Sequence, residues 1–163
     1  MFAIRQASMA DLPGIYGIFR DAVRSPDAIW IDDPGTPEDR CAWLLLKEAQ
    51  GFPVFVAVED GEVLAYAALG EPCFRDANCA LAEASLCVAP HARRRGIGRA
   101  LLATLEEAAG AIGRDSLVAS VDAMNRGSIA LHRRCGFRQT RRMPGVGRKF
   151  GRARDLVLLR KEL

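Results

Sequence analysis

Hydrophobic and polar positions along the chain alternate between two periods. Apolar residues at Leu12, Ile15, Tyr16, Phe19 and Val23 recur every three or four positions, as on one face of a helix. Ser8 stands before that run as an N-cap, with Asp11 three residues on in a variant of the capping box. Ser25 to Gly35 reads as a loop. Thr36-Pro37-Glu38-Asp39 then starts a second helix with a cap, a proline at the first helical position and acids in the first turn. Gly51-Phe52-Pro53 ends it.

Elsewhere the period shortens to that of strands. Phe2 to Gln6 reads as a first strand. Val54 to Val58 and Glu62 to Leu69 form a pair around the tight turn Asp60-Gly61. After a loop from Gly70 to Cys79, Leu81 to Val88 is a fourth strand. A helix from Arg99 to Ile112 stops at Gly113, Leu117 to Val121 is a fifth strand, and a helix from Asn125 to Cys135 is closed by Gly136. Two short strands finish the chain around Gly145 to Gly151. The order β-α-α-β-β-β-α-β-α-β-β predicts one mixed α/β domain over residues 1–163 with a largely antiparallel sheet.

Half of the 163 residues are apolar and 26% are charged, which excludes a disordered chain. No apolar run is long enough to span a membrane. Met1 to Arg5 reads as a strand, not as the apolar core of a secretory signal. Five cysteines, at 41, 73, 79, 87 and 135, show no zinc-ligand spacing, so no metal is expected; they read as free thiols of a cytoplasmic protein. The net charge of +3 is mild, but arginines cluster at 93–95 and from Arg138 to Arg154. Few aromatics interleave the second cluster, which argues against a nucleic-acid partner.

The most informative stretch runs from Leu86, Cys87 and Val88 through Arg93-Arg94-Arg95-Gly96-Ile97-Gly98. A strand ends, an arginine-rich turn follows, and a helix begins at two glycines. Unpaired N–H groups and partial positive charge at a helix start bind anions, and glycine lets a ligand come close. A nucleotide-type P-loop would need Gly-Lys-Ser/Thr, and a dinucleotide fingerprint a third glycine where Leu101 stands.

With Arg93, Gly96 and Gly98 in place, the chain resembles the GNAT superfamily of N-acetyltransferases, whose signature is Arg/Gln-x-x-Gly-x-Gly/Ala. The segment Asn125-Arg126-Gly127-Ser128-Ile129-Ala130-Leu131-His132-Arg133-Arg134-Cys135-Gly136-Phe137 resembles a second family motif at the expected separation. The resemblance implies acetyl-CoA as co-substrate, with its pyrophosphate on Arg93 to Gly98. Its pantetheine arm would lie along Leu86 to Val88 and Asn125, in a sheet splayed between the fourth and fifth strands.

Within the family, Ala82-Glu83-Ala84-Ser85 is similar to the phosphinothricin and methionine-sulfoximine acetyltransferase branch. Glu is disfavoured in strands, and alternation puts Glu83 on one face with Leu81, Ser85 and Cys87. The resemblance implies Glu83 as the base that removes the amine's proton. His132 stands seven residues after Asn125, so the two share a helix face. It occupies a position where most members carry Tyr, and its imidazole can move protons near neutrality; it is the second candidate, whereas His91 reads as surface.

Arg75, Asp76 and Ala77 resemble the branch's substrate loop, which implies an anionic, amino-acid-like acceptor with a primary amine. Asn78 replaces an aromatic there, Ala153 replaces a Trp in the tail Gly147 to Asp155, and Trp30-Ile31 falls where the branch has Phe-Arg. The branch also implies a homodimer. The alternative readings are a non-catalytic acetyl-CoA-binding module, or transfer to a polyamine or a protein amine.

Overall fold

The computed structural model describes residues 1–72 and 80–163. In chain order its elements are β1 (Ala3–Gln6), α1 (Leu12–Arg24), α2 (Pro37–Ala49), β2 (Val54–Glu59), β3 (Glu62–Gly70), β4 (Leu81–Val88), α3 (Ile97–Ala111), β5 (Ser116–Asp122), α4 (Arg126–Arg134), β6 (Arg138–Lys149) and β7 (Arg152–Glu162). The seven strands form one sheet in the order β1-β2-β3-β4-β5-β7-β6. Every neighbouring pair is antiparallel except β4 and β5.

Local chemistry sets the elements as expected. The Asp11 carboxylate takes the Ser8 backbone N–H at 2.8 Å, and Thr36 and Asp39 cap α2 reciprocally. Asp60 and Gly61 both have positive φ, 50° and 82°, the backbone of a two-residue hairpin turn. The helix α3 begins at Ile97, two residues before the Arg99 expected from periodicity, because its N-cap is Gly96 in the left-handed region.

The last two strands are the main departure. They are long, 12 and 11 residues, and not short. Phe150 and Gly151, both at positive φ, form their turn. β6 is an edge strand and is exposed over most of its length, so its arginines and glycines show no apolar alternation to betray it. Two register shifts, one of them between Met143 and Gly147, hide the pairing further.

Helices cover both faces of the sheet. On β4, Ala82, Ala84 and Leu86 turn toward α3 and α4; a Cβ on Gly98 of α3 would lie 3.6 Å from Leu86 and 2.9 Å from Leu131 of α4. Glu83, Ser85 and Cys87 turn to the opposite face, where their partners on β3 are Gly70, Ala68 and Tyr66. Trp43 of α2 packs edge-on against Tyr66 there, with ring centroids 6.0 Å apart. β3 lies between both layers and is buried from Leu64 to Gly70.

Candidate active site

The parallel pairing of β4 with β5 is short. It covers Leu81 to Glu83 against Ser116 to Val118 and goes no further, although β4 runs on to Val88 and β5 to Asp122. Beyond Glu83 the two strands part. The β5-side edge of Ala84 to Val88 therefore has no ladder bonds to β5, while its other edge stays paired with β3. This is the splay expected between the fourth and fifth strands.

At the wide end of the opening lies the start of α3. Gly96 has φ 84° and Arg94 φ 62°. The first helical hydrogen bond runs from Ala100 N–H to Gly96 C=O at 3.1 Å, so the N–H groups of Ile97, Gly98 and Arg99 precede the helical ladder. A Cβ on Gly96 would meet nothing within 4 Å, which leaves this turn open to a ligand. The three arginines differ in what they do. Arg93 folds back, its Nε donating to Val88 C=O at 3.3 Å. Arg95 is turned away to Glu59, with contacts of 2.9 and 2.7 Å to the two carboxylate oxygens. Arg94 is exposed. Ile97 is 1% exposed, so its side chain belongs to the core and only its backbone faces the turn.

Asn125 caps α4, its Oδ1 accepting from Ser128 N–H at 3.1 Å. Two turns on, His132 is 3% exposed and stands edge-on to Phe137 at 5.1 Å. Its Nδ1 lies 2.8 Å from the Ser128 carbonyl, and a carbonyl only accepts, so Nδ1 carries a proton. Nε2 is buried without a hydrogen-bond partner among the described residues. Burial lowers the ring's pKa, and the Ser128 contact only partly offsets that. The resting imidazole is neutral, with a bare lone pair on Nε2.

Glu83 sits at the foot of the opening, half-buried. Burial raises its pKa, while a hydrogen bond from the Ser120 side chain and the charge of Lys47 act in the opposite sense. On β5, Val118, Ser120 and Asp122 share a face. Asp122 is buried and accepts from the Trp30 indole N–H and from Arg154 Nε, each at 2.7 Å. The Trp30 ring fills the space where a Gly147 side chain would be, with a Cβ there only 2.2 Å from the ring. Lys149 Nζ donates to the carbonyls of Val23 and Ile31. The α1–α2 loop is thereby fastened across β5 and the β6–β7 hairpin, on the face that carries Glu83.

Lys47, Ser120 and the Asp122 group are residues that sequence reasoning missed. Lys47 was legible only as a basic position beside Trp43 and Leu44 on α2; Ser120 and Asp122 were legible only as alternating polar positions on β5. Arg75, Asp76 and Ala77 lie outside the described residues. A separate groove of about 470 Å³, between α4 and the β6–β7 hairpin, is lined in part by Arg126, Arg133, Arg134 and Arg142 and does not include Glu83 or His132. Among the described residues no three His, Cys, Asp or Glu cluster to hold a metal, and no helix is long and apolar enough to cross a membrane.

The family model of the acetyltransferase (GNAT) family matches residues 15–137, which contain both strands of the opening, the glycine turn and α4. The chain belongs to the GNAT acetyltransferase family. It is similar to the L-methionine sulfoximine/L-methionine sulfone acetyltransferase of Pseudomonas aeruginosa, at 41% identity covering 99% of this chain and 94% of the relative. Among solved structures, a ribosomal-protein-alanine N-acetyltransferase from Brucella melitensis has 42% identity, a TM-score of 0.94 and 99% coverage of both chains. The yncA protein of Salmonella typhimurium, solved with its cofactor acetyl-CoA, has 37% identity and a TM-score of 0.93, covering 99% of this chain and 94% of that one. This GNAT chain is an N-acetyltransferase, with the family's seven-stranded mixed sheet and four helices.

Proposed function

We propose that this GNAT enzyme moves an acetyl group from acetyl-CoA to the primary amine of a small, amino-acid-like acceptor, by direct transfer inside the β4–β5 opening. One observation carries the reading: the sheet parts just after Glu83, and the far end of the gap is a helix start open to an anion. The residues fit acetyl-CoA on this chain's own geometry. Gly96 leaves the space a phosphate needs, the free β4 edge offers backbone groups to amides, and buried Nε2 of His132 lacks a partner.

The reaction breaks the carbon–sulfur bond, forms a carbon–nitrogen bond and moves one proton from nitrogen to sulfur. Glu83, its pKa raised by burial, is the base for the amine, directly or through Ser120. Backbone N–H groups on the free edge of β4 face the developing oxyanion. His132 handles the sulfur side. Its bare Nε2 is an acceptor in the resting state, so it delivers a proton only after gaining one. Leu86, Cys87 and Val88 supply backbone, as does the Gly96–Gly98 turn; Arg93 and Arg94 supply charge, and Asn125 a side-chain amide.

The acceptor is an amino acid or analogue carrying an anionic group, taken by the face under α1 and α2, with Arg75, Asp76 and Ala77 completing its site. The named Pseudomonas relative supports this class. Asn78, Ala153 and Ile31 stand where the phosphinothricin branch has an aromatic, a Trp and an Arg, so phosphinothricin itself is a poor substrate and a different, bulkier amine a better one. The resemblance also supports a cytoplasmic homodimer, which sedimentation at micromolar concentration tests: a monomer overturns that part. A screen of amino acids, methionine sulfoximine, phosphinothricin, polyamines and an alanine-terminated peptide, read by CoA release, tests the acceptor. Turnover of free amino-acid analogues supports the reading. Preference for a polyamine overturns the anionic acceptor, and preference for the peptide moves the enzyme to protein N-termini.

A further inference from the structure

Lys47 lies on α2, half-buried, above the end of β3. Its Nζ donates to the Leu69 carbonyl at 2.8 Å. A Cβ built on Gly70, the next residue, would lie 2.4 Å from the same Nζ. The ammonium therefore occupies the space that any side chain at position 70 would claim. Gly70 is also the direct register partner of Glu83 across the β3–β4 ladder. Directly opposed residues on an antiparallel pair send their Cβ atoms to the same face, about 5 Å apart. The missing side chain of Gly70 is thus a slot on Glu83's own face, and the ammonium fills it.

Burying an ammonium is costly unless it is paired. The Leu69 carbonyl uses one of its three donors, and burial lowers the Lys47 pKa against the opposing charges of Glu83 and Glu71. Glu71 is held by Arg114 at 2.8 Å. Among the described residues, the groups acting on the Glu83 carboxylate are Ser120 from β5 and Lys47 from α2. We propose that Lys47, seated in the Gly70 slot, is a positioning residue that holds Glu83 as the carboxylate in the resting enzyme.

The inference rests on Glu83 as the proposed base, and two readouts separate the two claims. The first is a carboxyl-carbon NMR titration of the intact protein with labelled glutamate, the Glu83 signal being the one lost in Glu83→Gln. The second is the acid limb of kcat/KM for the amine. Lys47→Gln keeps a donor for Leu69 and loses the charge. It should raise both midpoints by about one pH unit, as expected for removal of a neighbouring opposite charge. Lys47→Arg should keep both near the wild-type values, and Gly70→Ala, which puts a methyl where the ammonium sits, should move them as Lys47→Gln does. An NMR midpoint that stays put in Lys47→Gln overturns the inference. One that rises while the kinetic limb stays put supports the pairing and sinks Glu83 as base. A raised acceptor KM with both midpoints unchanged overturns the inference and gives Lys47 to the acceptor's carboxylate.

Discussion

His132 keeps one ring nitrogen on the Ser128 carbonyl and the other buried and bare. That arrangement has a catalytic and a stability consequence. His132→Ala should lower kcat by about a hundredfold, the usual weight of one proton-transfer group, with the acetyl-CoA affinity little changed. For stability the sign is set by the lowered pKa. The folded state favours the neutral ring, so its contribution is present above the unfolded value of about 6.5 and is lost as pH falls below it. The denaturant midpoint of wild type should therefore fall more between about pH 7.5 and 5.5 than that of His132→Phe, which has no ring to titrate. Gly96 separates space from conformation. Its open side and φ of 84° predict that Gly96→Val weakens acetyl-CoA binding at least tenfold in a protein that still folds. Unchanged affinity by calorimetry would put the phosphates elsewhere. Much at this scale was readable in the sequence: Gly96, Asn125, His132 and Glu83 stand in spacings that already imply one turn, one helix face and one strand face. Lys47 was not, because its partner Glu83 is 36 residues away and only the register of β3 on β4 brings them together.

Between elements, the buried Asp122 carboxylate does the fastening. It receives two side-chain donors from segments distant in the chain and the backbone N–H of Met124 at 2.8 Å. Removing it strands a nearly buried arginine and an indole N–H, so Asp122→Ala should cost about 3 kcal/mol of stability, measured by urea unfolding. Trp30→Phe keeps the packing over Gly147 and loses one hydrogen bond. It should raise the acceptor KM by several-fold and leave the acetyl-CoA KM in place, because the loop it anchors belongs to the α1–α2 face. Equal changes in both constants would show that the loop does not separate the two substrates. The clamp explains why this part of the fold was hard to read. Arg154 read only as one of a basic cluster, and Trp30 and Lys149 carried no structural expectation; each of the three is buried or half-buried by long-range contacts that no local period records. The length of β6 was hidden for the opposite reason, since an exposed edge strand needs no apolar side.

At the scale of the molecule, the sheet divides labour between its faces. α3 and α4 carry the glycine turn, the Asn125 cap and His132, while α1, α2 and the clamped loop stand over Glu83. Far from both, Asp11 takes two contacts of 2.7 Å from Arg5 and is held at a pKa of about 2 by them and by Ser8. A depressed carboxylate contributes stability above its unfolded pKa and loses it as pH falls from about 4 toward 2. Asp11→Asn should cost about 1 kcal/mol at neutral pH, since Arg5 is half-exposed and screened, and much less near pH 2.

The parting of β4 from β5 leaves the sheet with a second kind of edge, one inside the protein. An outer edge invites another chain; this one lies between two layers of helices. Until it is occupied, the amide hydrogens of Ala84 to Val88 on that side have no ladder partner and should exchange with solvent deuterium early. With pantetheine on this edge, as proposed, they should become slow, the substrate serving in effect as an eighth strand. The enzyme's heat resistance then depends on its supply of acetyl-CoA. A hundredfold excess over Kd is worth about 2.7 kcal/mol, or roughly 5–10 °C in Tm for a chain of this size.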